Sequence, residues 1–331
     1  MTLNRGLVLQ AAIIFCSAAL ASSTFAQSDI SFSGVLFSDY SYTLETPEGN
    51  GDDEHGFELR RVYLTADFKI SESFSGRFRL EGNDRSVTSQ GKLSPFVKDL
   101  FLTWNNALGD GHNVTFGLSS PPIWGVAENH WAYRSLEKTI QHRNGIASSR
   151  DMGLTLSGPV LSDGRVKYAL MYANNSGVKR ETDKFKRVYG QLQFYPSGSI
   201  TLSLGGDYYL TEDGTSYNAS AFVGYATQRA QIGLEAFYNP KSIDSDKIND
   251  TALGVSAFGF VNTTSSQRLI ARYDLVNQDN PVRKSSNHWM ILGYSFTPEK
   301  GVEIIPNAAY HKNDFEDRAT ITARLTVVAS F

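Results

Sequence analysis

The C-terminal stretch Arg318–Phe331 alternates between apolar and polar side chains, and the chain stops on an aromatic ring. One face carries Ile321, Ala323, Leu325, Val327, Ala329 and Phe331, and the other carries Thr320, Thr322, Arg324 and Thr326. A period of two residues indicates an extended strand whose two faces meet different environments. An apolar face of this kind packs against a core in a soluble sheet, or against lipid in a membrane barrel whose polar face lines a wet lumen.

The same alternation recurs along the chain and predicts sixteen strands. Short turns and longer loops alternate between them, and the phase of the fourth strand is blurred around Asp99, which indicates a bulge. An even number of strands brings both ends of the chain to one rim, as in bacterial outer-membrane barrels. We therefore predict an all-β fold: a 16-stranded antiparallel transmembrane β-barrel, closed between its first and last strands, with a water-filled interior.

Three stretches do not follow the strand pattern. Asn239–Asp250 and Asn277–Asn287 are polar and are predicted to be loops, and the longest irregular stretch, Ser120–Ser149, follows strand five. A loop of that length is uncommon in a compact structure unless it has a function. Its apolar residues are Trp124, Trp131, Tyr133 and Leu136 among others, and they could anchor it to the inside of the wall. We predict an inward-folded constriction loop; the alternative is a plain surface excursion.

Aromatic residues cluster at both ends of the predicted strands, where a bilayer has its headgroup regions. The loop ends carry Tyr40, Tyr42, Phe57, Tyr172, Tyr208, Tyr238, Trp289 and Tyr310, and the turn ends carry Phe68, Phe74, Phe194, Tyr195, Tyr225, Phe296 and Phe331. The preference of aromatic residues for strands explains their number but not this placement. Two aromatic belts are therefore predicted.

Residues 1–26 have the features of a secretory signal peptide: Arg5, an apolar run from Leu7 to Leu20, and small residues before Ala26. The predicted domains are thus 1–26, a signal peptide, and 27–331, an outer-membrane β-barrel. The single cysteine, Cys16, lies in the leader, so a disulfide or thiolate metal site is not expected in the mature chain. After residue 26 the apolar runs are all well short of 18 residues, which argues against helical membrane spans.

Charge limits the classes of partner. The chain carries 31 Lys and Arg, of which Arg5 lies in the leader, against 34 Asp and Glu, so the net charge of the mature chain is −4. This net negative charge argues against a nucleic-acid partner.

Four segments of the sequence, Phe57–Gly82, Arg150–Val160, Leu269–Val276 and Trp289–Tyr310, resemble the family of phosphate-selective outer-membrane porins O and P. The resemblance is spread from the second strand to the fifteenth. It implies a homotrimeric porin in the outer membrane of a Gram-negative bacterium, exported through the periplasm. The implied partners are outer-membrane lipid, small hydrophilic or anionic solutes, and the barrel-assembly machinery, which would recognise the C-terminal Phe331.

Candidate site residues follow from this picture. The constriction would carry Arg134, Lys138, Arg143, Arg150, Glu128 and Glu137, and the lumen wall would carry Arg61, Lys69, Arg77, Arg79, Arg187, Arg268, Arg272 and Arg324. Carboxylates nearly balance the wall, whereas the loop has a positive excess, and a ring of Arg and Lys lowers the barrier for anions. Modest anion preference is therefore predicted, with phosphate a candidate solute. Phosphate-specific members of the family use a lysine cluster, but this loop has one lysine, Lys138.

Two other classes stay open at this point. A barrel enzyme would need a nucleophile, a base and an acid together, yet the six histidines lie in loops or at strand ends without a nucleophile motif. They are His55, His112, His130, His142, His288 and His311. A secreted soluble β-rich binding protein is the other class, and it would need no detergent. We expect no enzyme activity, catalytic residue, metal site or cofactor.

Overall fold

The computed structural model describes residues 29–146, 148–212, 214–243, 248–279 and 284–331. The predicted signal peptide lies outside the described residues. The strands are β1 (Asp29–Glu45), β2 (His55–Lys69), β3 (Phe74–Gly82), β4 (Phe96–Trp104), β5 (Asn113–Ser119), β6 (Asp151–Pro159), β7 (Val166–Ala173), β8 (Arg187–Ser197), β9 (Ile200–Thr211), β10 (Gly214–Ala226), β11 (Ala230–Ile243), β12 (Ile248–Asn262), β13 (Gln267–Asp279), β14 (Lys284–Glu299), β15 (Val302–Asn313) and β16 (Thr320–Ser330). Two short helices, α1 (Gly125–Trp131) and α2 (Ile140–Arg143), lie between β5 and β6.

The strands form one closed antiparallel barrel in which each strand pairs with its neighbours in sequence. The seam joins β1 to β16, with Leu36 opposite Ala329 and Tyr40 opposite Leu325. Beyond the end of β16, the backbone of Phe331 exchanges two hydrogen bonds with Gly34. The predicted sixteen-stranded barrel and its closure are confirmed. Closure removes the unpaired sheet edges that would otherwise invite aggregation.

The polarity of the wall is the reverse of that of a water-soluble protein. Leu325 is 44% exposed whereas its neighbour Thr326 is fully buried, and on β13 Leu269 is 55% exposed whereas Asp274 is fully buried. The apolar face of the strands therefore points outward and the polar face inward. A single closed sheet with an apolar exterior is the arrangement expected for a protein surrounded by hydrocarbon.

None of the helices in the described ranges is long and apolar enough to cross a membrane.

Of the register shifts in the sheet, the bulges on β2 and β4 re-aim charged side chains toward the interior. On β2 the register with β1 shifts between Phe37 and Asp39, and on β4 the register with β3 shifts at Arg79, as predicted around Asp99. A bulge adds one residue to a strand and re-aims the side chains beside it. Lys98 and Asp99, although adjacent in sequence, are consequently both buried on the inner face.

Four strands are longer than the polarity pattern predicts. β11 runs to Ile243 and β12 begins at Ile248, whereas Asn239–Asp250 had the composition of a loop. In the same way β13 runs to Asp279 and β14 begins at Lys284, inside the predicted loop Asn277–Asn287. The ends of β13 and β14 consist of polar residues, which is compatible with backbone pairing that continues beyond the apolar band.

Two members of the predicted aromatic belts do not face outward. Trp289 is only 5% exposed and packs inside the barrel beneath Arg143, and the ring of Tyr195 lines an internal cavity. Other predicted belt residues do lie on the exposed face, including Phe57, Tyr172, Tyr208, Tyr238, Tyr225, Phe296 and Phe331. The belt interpretation was wrong for Trp289 and Tyr195 because position along a strand does not determine which face a ring occupies.

Gly117 gives a testable constraint on the wall next to the inward loop. Its φ is 133°, and a Cβ built there would lie 2.3 Å from the backbone oxygen of Leu100. We expect Gly117→Ala to destabilise the barrel by about 2–4 kcal/mol, because side chains rarely adopt this conformation and a neighbouring backbone cannot yield. The measurement is the urea midpoint of refolded protein in detergent.

Gly56→Ala is the matched control, since a Cβ at Gly56 would meet nothing within 4 Å. Equal midpoints for the two variants would contradict the constraint.

Candidate functional site

The chain between β5 and β6, residues 120–149, is called the inward segment below. Its side chains contact the buried, inner face of the barrel at three places. Ile123 and Trp124 pack against Met171, Ala173 and Tyr189, and Ile140 and Ile146 pack against Phe237 and Val276. The segment was predicted to be irregular, but α1 and α2 each supply part of these contacts.

The central contact is an aromatic cluster. Trp131 is fully buried, with its ring centre 5.4 Å from that of Phe258, and Tyr133 meets Phe260 edge to face at 5.6 Å. The wall side of the cluster comprises Phe222, Phe258, Phe260, Ile270, Trp289, Ile291 and Ile305. Apolar side chains on the inner face of a wet barrel would expose their surface to water. Their burial under the segment therefore stabilises both the wall and the docked segment.

Polar contacts tie the segment to two separated strands of the barrel. On β2, Arg60 donates to the carbonyl oxygens of Ser135 (2.8 Å) and Leu136 (3.0 Å), and it also pairs with Asp39 at 2.9 Å. On β13, Arg272 donates to the carbonyl oxygen of Lys138 at 2.6 Å. Residues two and three apart in the segment are thus held by strands that lie five places apart around the closed sheet. The segment therefore crosses the interior of the barrel.

A chain of buried amides makes a further contact. Gln141 Nε2 donates to Glu235 Oε1 at 2.7 Å, and Asn218 Nδ2 donates to Gln141 Oε1 at 2.9 Å. Removing one partner of a buried polar pair leaves the other without its hydrogen bond, which is costly. These contacts therefore fix the position of α2 on the wall.

Beside the segment lies a cavity of about 550 Å³, called the basic cavity below. Its lining includes seven Arg and Lys against four Asp and Glu. The cations are Arg60, Arg61, Arg85, Lys98, Arg134, Lys138 and Arg324, and the anions are Glu58, Glu81, Asp84 and Glu137. It is bounded by β1 to β4 and β16 on one side and by the inward segment on the other.

The residues predicted at the constriction differ in their pairing. Arg134 pairs with Glu128 at 3.0 Å, Arg143 lies 3.8 Å from Glu137 and 4.4 Å above the ring of Trp289, and Arg150 pairs with Asp99. In the part of the chain that the structure describes, the ammonium group of Lys138 makes neither an ion pair nor a hydrogen bond. Burial, together with Arg134, lowers the pKa of Lys138. Of the six, Arg134, Glu137 and Lys138 line the basic cavity.

Most of the residues predicted on the lumen wall are paired. The pairs are Arg61 with Glu81 (3.1 Å), Lys69 with Glu72 (2.6 Å), Arg77 with Asp67 (2.6 Å), Arg79 with Asp99 (3.3 Å), Arg187 with Asp207 (2.6 Å), Arg268 with Asn262 (3.0 Å), Arg272 with Asp274 (2.8 Å) and Arg324 with Asn307 (3.1 Å). Only Arg61 and Arg324 among them line the basic cavity. Lys69 lies at the turn end of β2 with its side chain 47% exposed.

Sequence reasoning missed three cations of the basic cavity: Arg60, Arg85 and Lys98. Strict alternation places Arg60 outside because Arg61 faces inward, and the bulge on β2 brings both into the lumen. Lys98 was hidden by the bulge on β4, and Arg85 by its place in the loop between β3 and β4. The sequence did contain one sign that part of the inner wall is covered by the inward segment. Ile270 has the same inward phase as Arg268 and Arg272, and an apolar side chain there is not explained by a wet lumen.

The histidines of the described ranges do not form a metal site, since no group of three or more potential ligands occurs there. His142 instead stacks on Trp124 at 5.0 Å, and its Nδ1 lies 4.0 Å from Glu128 Oε2, beyond hydrogen-bond distance. Burial lowers the pKa of His142 to about 4, with Arg134 and Lys138 acting in the same direction and Glu128 opposing it.

This neutral histidine predicts a pH dependence for docking of the inward segment. A released histidine takes up its proton near pH 6.5, whereas docked His142 does so only near pH 4. The contribution of His142 to docking is therefore complete above pH 6.5 and falls by on the order of 3 kcal/mol as the pH falls to 4, with no further loss from this group below. We expect current fluctuations in planar bilayers to increase between pH 6.5 and 4. His142→Phe, which keeps a ring on Trp124, should flatten the profile; an unchanged profile would contradict the assignment.

Comparisons with known proteins establish the fold. No protein-family model matches the chain, and no curated protein matches its sequence. Solved structures do match. An anion-selective porin from Comamonas acidovorans aligns with a TM-score of 0.70 at 14% identity, covering 92% of this chain and 100% of the porin. Outer-membrane OmpT of Vibrio cholerae aligns at 0.68 and 12%, covering 92% and 98% respectively.

The outer-membrane channel DcaP of Acinetobacter baumannii aligns at 0.67 and 12%, covering 94% of this chain and 99% of the channel. The chain thus has the fold of outer-membrane porins and channels over nearly its whole described length. At these identities the likeness concerns the fold alone.

Proposed function

We propose that this chain is an outer-membrane porin, a water-filled channel for passive diffusion of small hydrophilic solutes and ions. Three features support the proposal: the closed barrel, its apolar exterior, and an interior lined by charged and amide side chains. A sixteen-stranded barrel is too wide for its own side chains to fill. The inward segment occupies part of the interior, so it narrows the pore and determines which solutes pass.

The proposed channel prefers anions. The observation that carries this is the excess of cations over anions in the basic cavity, seven against four, at the level of the inward segment. Fixed positive charge lowers the barrier for anions and raises it for cations. The preference is modest because Arg61, Lys98 and Arg134 are paired with carboxylates, and paired charges contribute weakly to a distant ion.

The test is the zero-current potential of the purified chain in a planar bilayer across a tenfold gradient of KCl. The proposal predicts the sign of a chloride-preferring channel. It also predicts that the preference weakens as the salt concentration rises, because mobile ions screen the fixed charges. A zero-current potential of potassium-preferring sign would overturn the anion preference but not the proposal that the chain forms a channel.

Phosphate is the first anion to compare with chloride. Lys98 brings a second lysine into the cavity that Lys138 lines, although the inward segment itself has one lysine. Lys98 is bound to Glu81 at 2.9 Å, however, so the pair does not form a cluster of free ammonium groups. We therefore propose phosphate as a permeant anion rather than a specifically bound one. Millimolar phosphate should leave the chloride current nearly unchanged.

We also propose a homotrimer, with the wall around β5 as the interface. β5 has seven residues, β7 has eight, and β3, β4 and β6 have nine each, whereas β10 to β15 have 12 to 16. At about 3.3 Å per residue and a tilt of about 40°, seven residues rise roughly 18 Å, less than the ~25 Å apolar band of an outer-membrane barrel. A second copy would cover this low wall.

The exposed face of the low wall is apolar, with Leu100 52% exposed and Phe116 60% exposed. Phe116→Arg should therefore convert trimers to monomers in mild detergent, as measured by light scattering. Leu292→Arg, on the long-stranded side where Leu292 is 64% exposed, is the matched control. A trimer that survives Phe116→Arg would move the interface elsewhere.

A further inference from the structure

A second cavity, of about 470 Å³, lies between α1 of the inward segment and the inner face of β8, β9 and β11. We call it the amide cavity. Its polar lining comes from uncharged side chains, among them Asn129, Gln191, Gln193, Tyr195, Thr201 and Gln231. The ammonium group of Lys167 lies at its edge, 5.5 Å from the ring centre of Tyr195. The contrast with the basic cavity is one of chemistry, because the side chains that line the amide cavity are uncharged and Lys167 lies only at its edge.

A relay of hydrogen bonds holds the amides of β8 in place. Tyr195 donates its hydroxyl to Gln193 Oε1 at 2.9 Å, Gln193 donates to Gln191 Oε1 at 2.8 Å, and Gln191 donates to the carbonyl oxygen of Ile123 at 2.7 Å. Gln231 donates to the carbonyl oxygen of His130. Gln191 and Gln193 are each held through both the amide nitrogen and the amide oxygen, whereas Gln231 is held through its nitrogen alone. Each amide nitrogen keeps one further N–H that can meet a ligand.

Two polar groups of the cavity keep their full hydrogen-bonding capacity. Within the described part of the chain, neither the amide of Asn129 nor the hydroxyl of Thr201 makes a side-chain hydrogen bond. Both line the cavity, Asn129 from α1 and Thr201 from β9. His130 adds no charge at neutral pH, since burial lowers its pKa below the ordinary value.

Apolar surface accompanies these groups. Pro121, Pro122 and Val126 contribute aliphatic atoms from the inward segment, and Tyr195 contributes part of its ring. Amides and hydroxyls both donate and accept hydrogen bonds, and so match the hydroxyl groups of a polyol, whereas the apolar atoms match its C–H faces. A charged ligand would gain less here than in the basic cavity, because the lining is uncharged and the ammonium group of Lys167 lies only at its edge.

We propose that the amide cavity is a binding site for uncharged, polyhydroxylated solutes of the size of a small sugar, occupied during their passage. The site rests on the proposed channel function and adds a substrate class to it. Anions and sugars would then meet different parts of the lumen. Binding at the amide cavity depends little on salt, whereas the anion preference of the basic cavity falls as salt rises.

The test uses the refolded full chain in planar bilayers, with glucose and maltose as probes. We expect each sugar to reduce the potassium chloride current to a saturating level, with the same half-blocking concentration at 0.1 M and 1 M salt. A polyethylene glycol of matched size, which lacks donors along its length, should reduce the current in proportion to its concentration without saturation.

Asn129→Ala and Thr201→Ala should each raise the half-blocking concentration roughly three- to tenfold, the effect of losing one hydrogen bond. Both side chains are at least partly exposed to the lumen, so the barrel should fold. Asn50→Ala, in the loop between β1 and β2, is the matched control and should leave it unchanged. Channels that conduct but show no saturable block, or variants that block like the parent chain, overturn the sugar site alone. A chain that forms no channel at all defeats the proposed function itself.

Discussion

Trp131→Ala should open the pore: the mean single-channel conductance rises, and the current becomes noisier. Trp131 is fully buried at the centre of the aromatic cluster, and its indole nitrogen donates to the carbonyl oxygen of Glu137 at 2.9 Å. Truncating such a residue costs about 3–5 kcal/mol. The loss falls on the docking of residues 131–138, because the barrel strands pair with one another independently of the segment.

Stability of the wall separates this expectation from general unfolding. Heat-modifiable migration on a gel should be nearly the same for Trp131→Ala and the parent chain. The matched control is Trp104→Ala, since Trp104 is 50% exposed on the outer face and stacks on Phe74. It removes the same side chain without touching the segment, and its conductance should not change. A folded Trp131→Ala channel with the parent conductance would show that the segment does not narrow the pore.

Lys138→Glu should have the largest effect on ion selectivity. Lys138 lines the basic cavity, and its ammonium group makes no ion pair or hydrogen bond among the residues that the structure describes. An unpaired charge about 6 Å from a passing ion in water contributes roughly 0.7 kcal/mol, a factor of about three. Because anions and cations are affected in opposite directions, removing the charge changes their permeability ratio by up to roughly tenfold, and reversing the charge changes it further.

Lys138→Gln should therefore give an intermediate shift and Lys138→Glu a cation-preferring channel, both measured by zero-current potential. Lys300→Glu makes the same charge change at the exposed turn between β14 and β15, and should leave the potential close to that of the parent chain. An equal shift in Lys138→Glu and Lys300→Glu would mean that overall charge, rather than the basic cavity, determines selectivity.

The barrel could be predicted from sequence because one physical rule acts on every strand. Hydrocarbon outside and water inside impose a period of two, and the alternation in β16 or β9 persists over the whole strand. The rule fails where both faces are wet, which is why the ends of β13 and β14 had the composition of loops. The rule also does not determine which face of a strand carries an aromatic ring where the inward segment lies against the inner face. Trp289 and Tyr195 are the two examples.

The site was less accessible to sequence reasoning, for a specific reason. Bulges on β2 and β4 bring Arg60 beside Arg61 and Lys98 beside Asp99, and a bulge is a departure from the periodicity on which the prediction depends. The blurred phase at Asp99 revealed one bulge, whereas Arg60 in the run Arg60–Arg61 gave no such sign. The sequence also did not reveal which cations are neutralised, since the carboxylate partners of Arg187 and Arg77 lie on other strands.

The central claim is that lipid surrounds the exposed apolar face and water fills the charged interior. Current recording after adding the purified, detergent-refolded chain to a planar lipid bilayer in potassium chloride tests it most directly. The account predicts discrete, uniform upward steps in current, each from one inserted assembly, with a zero-current potential of chloride-preferring sign. A chain that stays monodisperse without detergent and never produces a current step would contradict it.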